Sequence, residues 1–230
     1  MLFNENTEEV ASKRGRVVIL DGRGCLEGVL RKADYASPAE VVAAFVVFLP
    51  PETVKQAGSS NIFRVIRNRG DRTQRGDLFE VDGVLVMKDD NQTPINAFLW
   101  AANRKDGPDV WFCHIWKNAD DYRYYTALWN TCAVPEFLAG LTDKEPVCSI
   151  LKYRSFELYG FFPSDQSEPV KPDGYDGLVW VQPHPAVVGD LKGLLRQRLR
   201  DCRKSRAAKS ACKCGWKFSD FQRDPEFADA

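Results

Sequence analysis

Four apolar runs follow one another in the middle of the chain: FEVDGVLVMK (79–88), INAFLWAA (95–102), VWFCHIW (110–116) and YRYYTALW (122–129). The runs are rich in aromatic and β-branched residues, and clusters of Asn, Asp, Gly and Pro separate them, as is typical of strands joined by turns. Four of the six tryptophans lie here, so this region supplies the largest apolar side chains. We therefore predict an antiparallel meander over residues 79–129, within an α+β fold that has a largely antiparallel β-sheet core.

The segment before the meander contains a helix-start signal. Ser37 can cap a helix, Pro38 suits its first turn, and Glu40 can complete a capping box. We predict that the apolar run 41–49 which follows is a buried N-terminal helix. Its β-branched residues are also typical of a central strand, which remains the alternative.

Other local patterns complete the predicted fold. Residues 21–28 indicate a hairpin, because an Asp-Gly pair separates two apolar runs; their glycines also admit a dinucleotide-binding loop. Strands are predicted over 147–154 and 156–162.

The predicted units are a mixed body (1–162), a Pro- and acid-rich linker or loop (163–177), a C-terminal segment (178–218) and a frayed acidic tail (219–230). The C-terminal segment combines a final strand, a basic helix and a Cys-x-Cys turn.

Composition limits the class of protein. The length of 230 residues suits one large domain, or one domain with an appendage. No apolar run approaches the roughly 18 residues that cross a bilayer, so we predict no membrane partner. Seven cysteines without framework spacing indicate reduced thiols and a cytoplasmic location. Cys202, Cys212 and Cys214 form a metal-like cluster, in which Cys212-Lys-Cys214-Gly-Trp resembles half of a zinc knuckle. Zinc is therefore the one candidate cofactor; free thiols are the alternative.

Charge is distributed unevenly although the formal net charge is zero. Residues 186–218 contain ten Lys and Arg against two Asp, and apolar residues recur there at three- and four-residue spacing. This pattern predicts a basic amphipathic C-terminal helix. A second basic segment, residues 64–75, contains five arginines. The candidate nucleic-acid-binding residues are Arg196, Arg198, Arg200, Arg203, Lys204, Arg206 and Lys209 on the helix, with Arg67, Arg69 and Arg72 on the loop.

The basic helix has three interpretations. It can place its charges on phosphates, it can insert its leucine stripe into a groove of a partner protein, or it can simply cover the body of the domain. The strong charge bias favours nucleic acid over a protein partner.

An enzymatic alternative comes from Glu80-Val-Asp82 followed by an apolar strand and a second run ending in Asn103-Arg-Lys105. This order resembles the core of the PD-(D/E)xK nucleases. The resemblance implies that carboxylates hold a divalent metal, with Asp82 and Lys105 as the residues to test. Asn103 stands where that family has a ligand carboxylate. The sequence as a whole predicts a non-enzymatic cytoplasmic binding or adaptor protein, because it contains no complete catalytic constellation.

Overall fold

A computed structural model describes residues 10–12, 15–17, 22–70, 72–183 and 189–219. Its strands are β1 (Val10–Ser12), β2 (Gly15–Val17), β3 (Val65–Arg67), β4 (Leu78–Val81), β5 (Val84–Asp89), β6 (Val110–His114) and β7 (Thr131–Pro135). Its α-helices are α1 (Gly22–Lys32), α2 (Pro38–Phe45), α3 (Pro51–Ala57), α4 (Gln92–Ala101), α5 (Val147–Tyr159), α6 (Leu191–Asp201) and α7 (Arg206–Cys214). Short 3₁₀ helices lie at Arg72–Gln74, Leu128–Asn130, Glu136–Leu141 and Tyr175–Gly177.

The predicted α+β class is confirmed, with small sheets rather than one large one. β1 and β2 pair antiparallel, and so do β6 and β7. The third sheet has the order β3-β5-β4, in which β4 is antiparallel to β5 and β3 is parallel to it. Helices therefore share the core with the strands. None of the helices in the described ranges is both long and apolar enough to span a membrane.

Two of the four runs of the predicted meander are not strands. Residues 95–102 belong to helix α4, and residues 122–129 form turns that lead into the 3₁₀ helix at Leu128–Asn130. In α4, Thr93, Ala97 and Ala101 are buried at four-residue spacing, which is the period of a helix face. The aromatic residues of this run suggested a strand, but the spacing of its buried positions is helical.

The strands predicted over 147–154 and 156–162 are also wrong, because most of this region forms the single helix α5. Val147, Leu151 and Ser155 are buried at four-residue spacing along it. Gly160 ends the helix in a left-handed conformation, with φ of +72°. In such a conformation glycine avoids the steric cost that a Cβ atom brings.

The capping signal at Ser37 was correct. Its side chain accepts a hydrogen bond from the Glu40 amide at 3.2 Å, and α2 follows. The helix ends at Phe45, and Val47 then forms an isolated antiparallel bridge with Ala133. The buried run 41–49 is thus helical in its first part and extended in its second. The hairpin predicted over 21–28 is wrong, since residues 22–32 form α1.

The C-terminal segment is built differently from the prediction. Residues 178–182 form no strand, and the basic helix is divided into α6 and α7 by the turn at residues 202–205. The start predicted near residue 186 and the tail after residue 219 lie outside the described residues. Gly215 ends α7, as expected.

The apolar stripe of the C-terminal segment lies in the main core. Leu195 and Leu199 are fully buried, and Trp216 stacks on the fully buried Phe63 with ring centroids 6.4 Å apart. The loop over residues 163–177 packs on the body too, because Tyr175 is buried and its hydroxyl bonds Glu157 of α5 at 2.6 Å. The C-terminal segment therefore completes the core.

Candidate nucleic-acid interface

Two basic segments that are far apart in the sequence meet at the carboxyl end of β5. Arg206, the first residue of α7, places Nη1 3.1 Å from Asp89 Oδ1 and Nη2 3.6 Å from Asp90 Oδ2. Arg75, from the arginine-rich loop, places Nη1 3.2 Å from the same Asp90 oxygen. The loop and the helix that the sequence singled out therefore share one acidic pair, which we name the Asp89–Asp90 anchor.

The strand arrangement explains why these segments converge. β3 is parallel to β5, so their carboxyl ends lie side by side, with Arg67 directly opposite Asp89. α7 packs against β5 and begins at Arg206, because Ser205 Oγ caps it by accepting from the Ala208 amide at 3.1 Å. The carboxyl ends of parallel strands are common places for ligand sites in α/β structures.

Asp89 is the fixed part of the anchor. Its side chain is fully buried, and Oδ2 accepts a hydrogen bond from the Thr93 amide at 3.1 Å, which ties the end of β5 to the start of α4. Burial raises the pKa of Asp89 to about 6, although its hydrogen bond with Thr93 and the charge of Arg206 act in the opposite direction. One carboxylate thus joins β5, α4 and α7.

Tyr125 contacts the same region, and His114 in turn packs on Tyr125. The Tyr125 hydroxyl donates to the Asp90 carbonyl oxygen at 3.0 Å, and burial raises the pKa of this phenol well above its ordinary value. The His114 ring stacks on Tyr125 with centroids 4.9 Å apart, and its Nε2 lies 2.9 Å from the Tyr125 carbonyl oxygen. Burial lowers the pKa of His114, so the neutral ring donates from Nε2 at neutral pH. These contacts are structural.

Further exposed cations lie on the segments that meet at the anchor. Five candidates are exposed and make no side-chain hydrogen bond or ion pair with any residue that the structure describes: Arg67, Arg72, Arg203, Lys204 and Lys209. Arg203 and Lys204 lie in the turn between α6 and α7, and Lys209 lies one turn into α7. We name these five residues, together with Arg75 and Arg206, the basic surface.

The remaining candidates extend this surface along α4. Arg198 on α6 donates from Nη2 to Asn103 Oδ1 at 2.6 Å, just past the C-terminus of α4, whereas Arg206 contacts the residues before its N-terminus. The two ends of this ten-residue helix are about 15 Å apart. Arg196 and Arg200 lie on α6 on either side of Arg198 in sequence. The positive charge therefore covers a length suited to several phosphates of a nucleic-acid strand.

Arg69 lies at the margin of the surface. Its Nη2 is 2.6 Å from Asp120 Oδ2, and both side chains are more than half exposed. Exposed pairs of this kind are weak, so this pair leaves Arg69 available to a stronger anion.

The sequence analysis did not select Arg75, Asp89 or Asp90 as site residues. Asp89 and Asp90 were assigned to a turn cluster, which is where such residues are frequent. The missed signal was a pair of acids at the end of a buried strand in a chain with two arginine-rich segments. Only the parallel pairing of β3 with β5 reveals that these elements are neighbours.

The proposed nuclease residues are not brought together as the resemblance requires. Asp82 lies in the exposed turn between β4 and β5, where both Asp82 and Gly83 have positive φ angles of 51° and 75°. Lys105 lies in an exposed loop after α4, so the second strand of the predicted core is a helix. A carboxylate–lysine arrangement on adjacent strands is therefore not formed.

The three cysteines of the predicted zinc site are also separated. Cys202 is exposed at the end of α6, whereas Cys212 and Cys214 are buried on α7. Side chains two residues apart on a helix point in directions about 200° apart, so Cys212 and Cys214 are poorly placed to bind the same metal ion. Burial raises the pKa of Cys214 to about 11, which disfavours the thiolate that binds zinc. Across the described ranges, no group of three His, Cys, Asp or Glu side chains could hold a metal ion.

The leucine stripe that was predicted to dock on a partner protein is buried within the domain. Leu191, Leu195 and Leu199 are buried against the body of the domain, where α6 packs on α3 and α4. Docking of this stripe in another protein would require α6 to leave the core.

Comparisons with protein-family models, with curated proteins and with solved structures give no match to this chain.

Proposed function

We propose that this protein binds nucleic acid without catalysing a reaction, and that the basic surface is its binding site. The observation that supports the proposal is the convergence of residues 67–75 with the α6–α7 turn at the Asp89–Asp90 anchor. Two separate basic segments become one surface by folding. Phosphate contacts supply most of the affinity in nucleic-acid binding, and arginine and lysine are the side chains that make them.

The form of the surface favours binding over chemistry. Its free cations are exposed, and the buried groups beneath it, Asp89 and Tyr125, are engaged in structural hydrogen bonds. A substrate pocket normally has several hundred Å³. A cavity between α3, α4 and the start of α6 has a volume of about 10 Å³, which holds at most one water molecule.

Nucleic acid is favoured over a protein partner because the apolar stripe of α6 is buried, whereas Arg200 on this helix and Arg203 and Lys204 in the turn after it are exposed. We also propose a cytoplasmic location. The six described cysteines outside α1 are free thiols, which suits a reducing compartment.

The first prediction concerns three exposed cations of the basic surface. Arg203→Gln, Lys204→Gln and Lys209→Gln, combined in one chain, are expected to weaken binding to short fluorescein-labelled DNA and RNA. Each lost phosphate contact reduces counterion release, so the slope of log Kd against log salt concentration should fall by about 2 to 3. Fluorescence anisotropy over a salt series, with single strands and duplexes, measures both quantities.

A matched control removes the same charge elsewhere. Lys32→Gln, Lys55→Gln and Lys144→Gln change exposed lysines on α1, on α3 and before α5. This variant should keep nearly all of the wild-type affinity and salt slope. Equal losses in the two triple variants, or no binding by the wild-type chain at low salt, would contradict the proposed function.

A further inference from the structure

Asp90 occupies a position that resembles that of a bound phosphate. One of its oxygens, Oδ2, lies 3.2 Å from Arg75 Nη1 and 3.6 Å from Arg206 Nη2. The side chains of all three residues are about one-third exposed. Two guanidinium groups that converge on a single anionic oxygen at the surface form an arrangement that also recognises phosphate oxygens.

The neighbouring Asp89 behaves differently. Its carboxylate is fully buried and bonds both Arg206 and the Thr93 amide, so no solvent anion can replace it without opening the core. Asp89 therefore positions Arg206, whereas Asp90 only occupies the solvent side of the two arginines.

We propose that Asp90 is an internal competitor for the phosphate site, so that a nucleic-acid phosphate binds by taking its place between Arg75 and Arg206. This inference depends on the proposed function, whose site it regulates. In the free protein, the Asp90 carboxylate holds the two guanidinium groups close together, in the arrangement that a phosphate needs. Because it occupies the same position, it lowers the affinity of the site for phosphate.

Replacing the Asp90 carboxylate by a phosphate between the two arginines costs little free energy. Partly exposed ion pairs contribute little free energy, because water screens them on the open side. Asp90 Oδ1 accepts a hydrogen bond from the Gln92 amide at 3.0 Å, so the side chain keeps a local partner when the arginines turn to a phosphate. A phosphate diester offers two anionic oxygens to the same guanidinium groups and remains charged at every relevant pH.

Charged groups meet the anchor from several elements. Arg206 contacts it from α7 and Arg75 from the arginine-rich loop, while Arg67 stands opposite Asp89 in the register of β3 with β5, and the Tyr125 hydroxyl bonds the Asp90 carbonyl oxygen. Two arginines thus contact the two carboxylates. Neutralising the outer carboxylate increases the positive charge that a phosphate meets.

The test replaces Asp90 by its neutral analogue. Asp90→Asn keeps the acceptor for the Gln92 amide and removes the charge that competes with phosphate. We expect it to bind the labelled oligonucleotides about threefold to fivefold more tightly than wild type. Asp82→Asn is the matched control, because the same change is made in an exposed turn at the opposite end of β5. It should leave Kd within about 1.5-fold of wild type.

A coupling measurement separates displacement from a general charge effect. The gain from Asp90→Asn should largely disappear when it is made together with Arg75→Gln, since the inference requires Arg75 as the partner. A gain that persists without Arg75, or no gain in a wild-type background that binds, would overturn the inference and leave the proposed function standing. Absence of binding by all variants would instead overturn the proposed function. Circular dichroism establishes that each variant is folded, and Asp90→Ser serves if the asparagine variant is not.

Discussion

Asp89 places a carboxylate where water does not reach, at the junction of β5, α4 and α7. A buried carboxyl binds its proton more tightly than an exposed one unless its partners compensate fully. Here the hydrogen bond with Thr93 and the charge of Arg206 do not compensate fully, and the pKa is raised from 3.8 to about 6. The residue therefore links the stability of the fold to pH.

This linkage has a definite sign. Between about pH 4 and about pH 6 the folded chain keeps a proton on Asp89 that the unfolded chain has released. The contribution of Asp89 to stability is therefore complete below about pH 4 and is lost as the pH rises through about 6. It amounts to at most about 3 kcal/mol.

The second prediction tests this dependence. Asp89→Asn keeps an oxygen acceptor for the Thr93 amide and cannot titrate, so the free energy of unfolding should fall less steeply between pH 4 and 7 than in wild type. Urea denaturation at several pH values gives the comparison. Asp82→Asn should reproduce the wild-type profile, because it removes an exposed carboxyl. Parallel profiles for Asp89→Asn and wild type would mean that Asp89 does not carry this linkage.

At the scale of elements, the helices α1 and α5 differ most from the sequence-based expectation. Both regions contain glycine, which the structure uses in two different ways. Gly28 lies within α1 with no atom near the position that a Cβ would take. Gly160 lies past the end of α5 with a positive φ.

The third prediction follows from this contrast and has opposite signs at the two positions. Gly28→Ala should stabilise the protein by about 0.5–1 kcal/mol, because alanine is the better helix former and has room. Gly160→Ala should destabilise it by about 1 kcal/mol, because alanine is strained at positive φ. Chemical denaturation of the two variants measures the difference. Destabilisation by Gly28→Ala would instead favour the hairpin that the sequence alone predicted.

Sequence signals were reliable where the chemistry is local. The cap at Ser37 needs only the next three residues, and the stop at Gly215 needs only its own backbone. Composition misled us over α4 and α5, because aromatic and β-branched residues fill helices as well as strands once they are buried. The candidate site needed the parallel pairing of Arg67 with Asp89, a contact across 22 positions of the chain that no local pattern encodes.

At the scale of the whole molecule, the C-terminal segment belongs to the core and carries four of the seven residues of the basic surface. Trp216 is 1% exposed and stacks on Phe63, and Arg64 donates from Nη1 to the Cys214 carbonyl oxygen at 2.8 Å. Removal of this segment would therefore expose the centre of the protein and would also delete four residues of the basic surface. Charge substitutions are the proper way to study the surface.

The fourth prediction compares two tryptophans. Trp216→Ala should lower the free energy of unfolding by about 3–5 kcal/mol, because it opens a large cavity in the core. Trp111→Ala removes a side chain that is 48% exposed, so it should cost less than about 1.5 kcal/mol. Urea denaturation monitored by circular dichroism gives both values. Similar small losses for the two variants would show that the C-terminal segment is not needed for the stability of the body.

The stacking of Phe63 on Trp216 also limits when the complete core can form during synthesis of the chain. A ribosome makes the arginine-rich loop long before it makes α7, and domains commonly fold as their segments emerge. Phe63 can pack on Trp100 and Asp89 can bond the Thr93 amide earlier. Phe63 lacks its stacking partner and Asp89 lacks its arginine until Trp216 and Arg206 have left the exit tunnel. We expect the nascent chain to acquire its complete native core only after α7 and Trp216 have emerged. The basic surface, which includes four cations of the C-terminal segment, is then completed at the same late step.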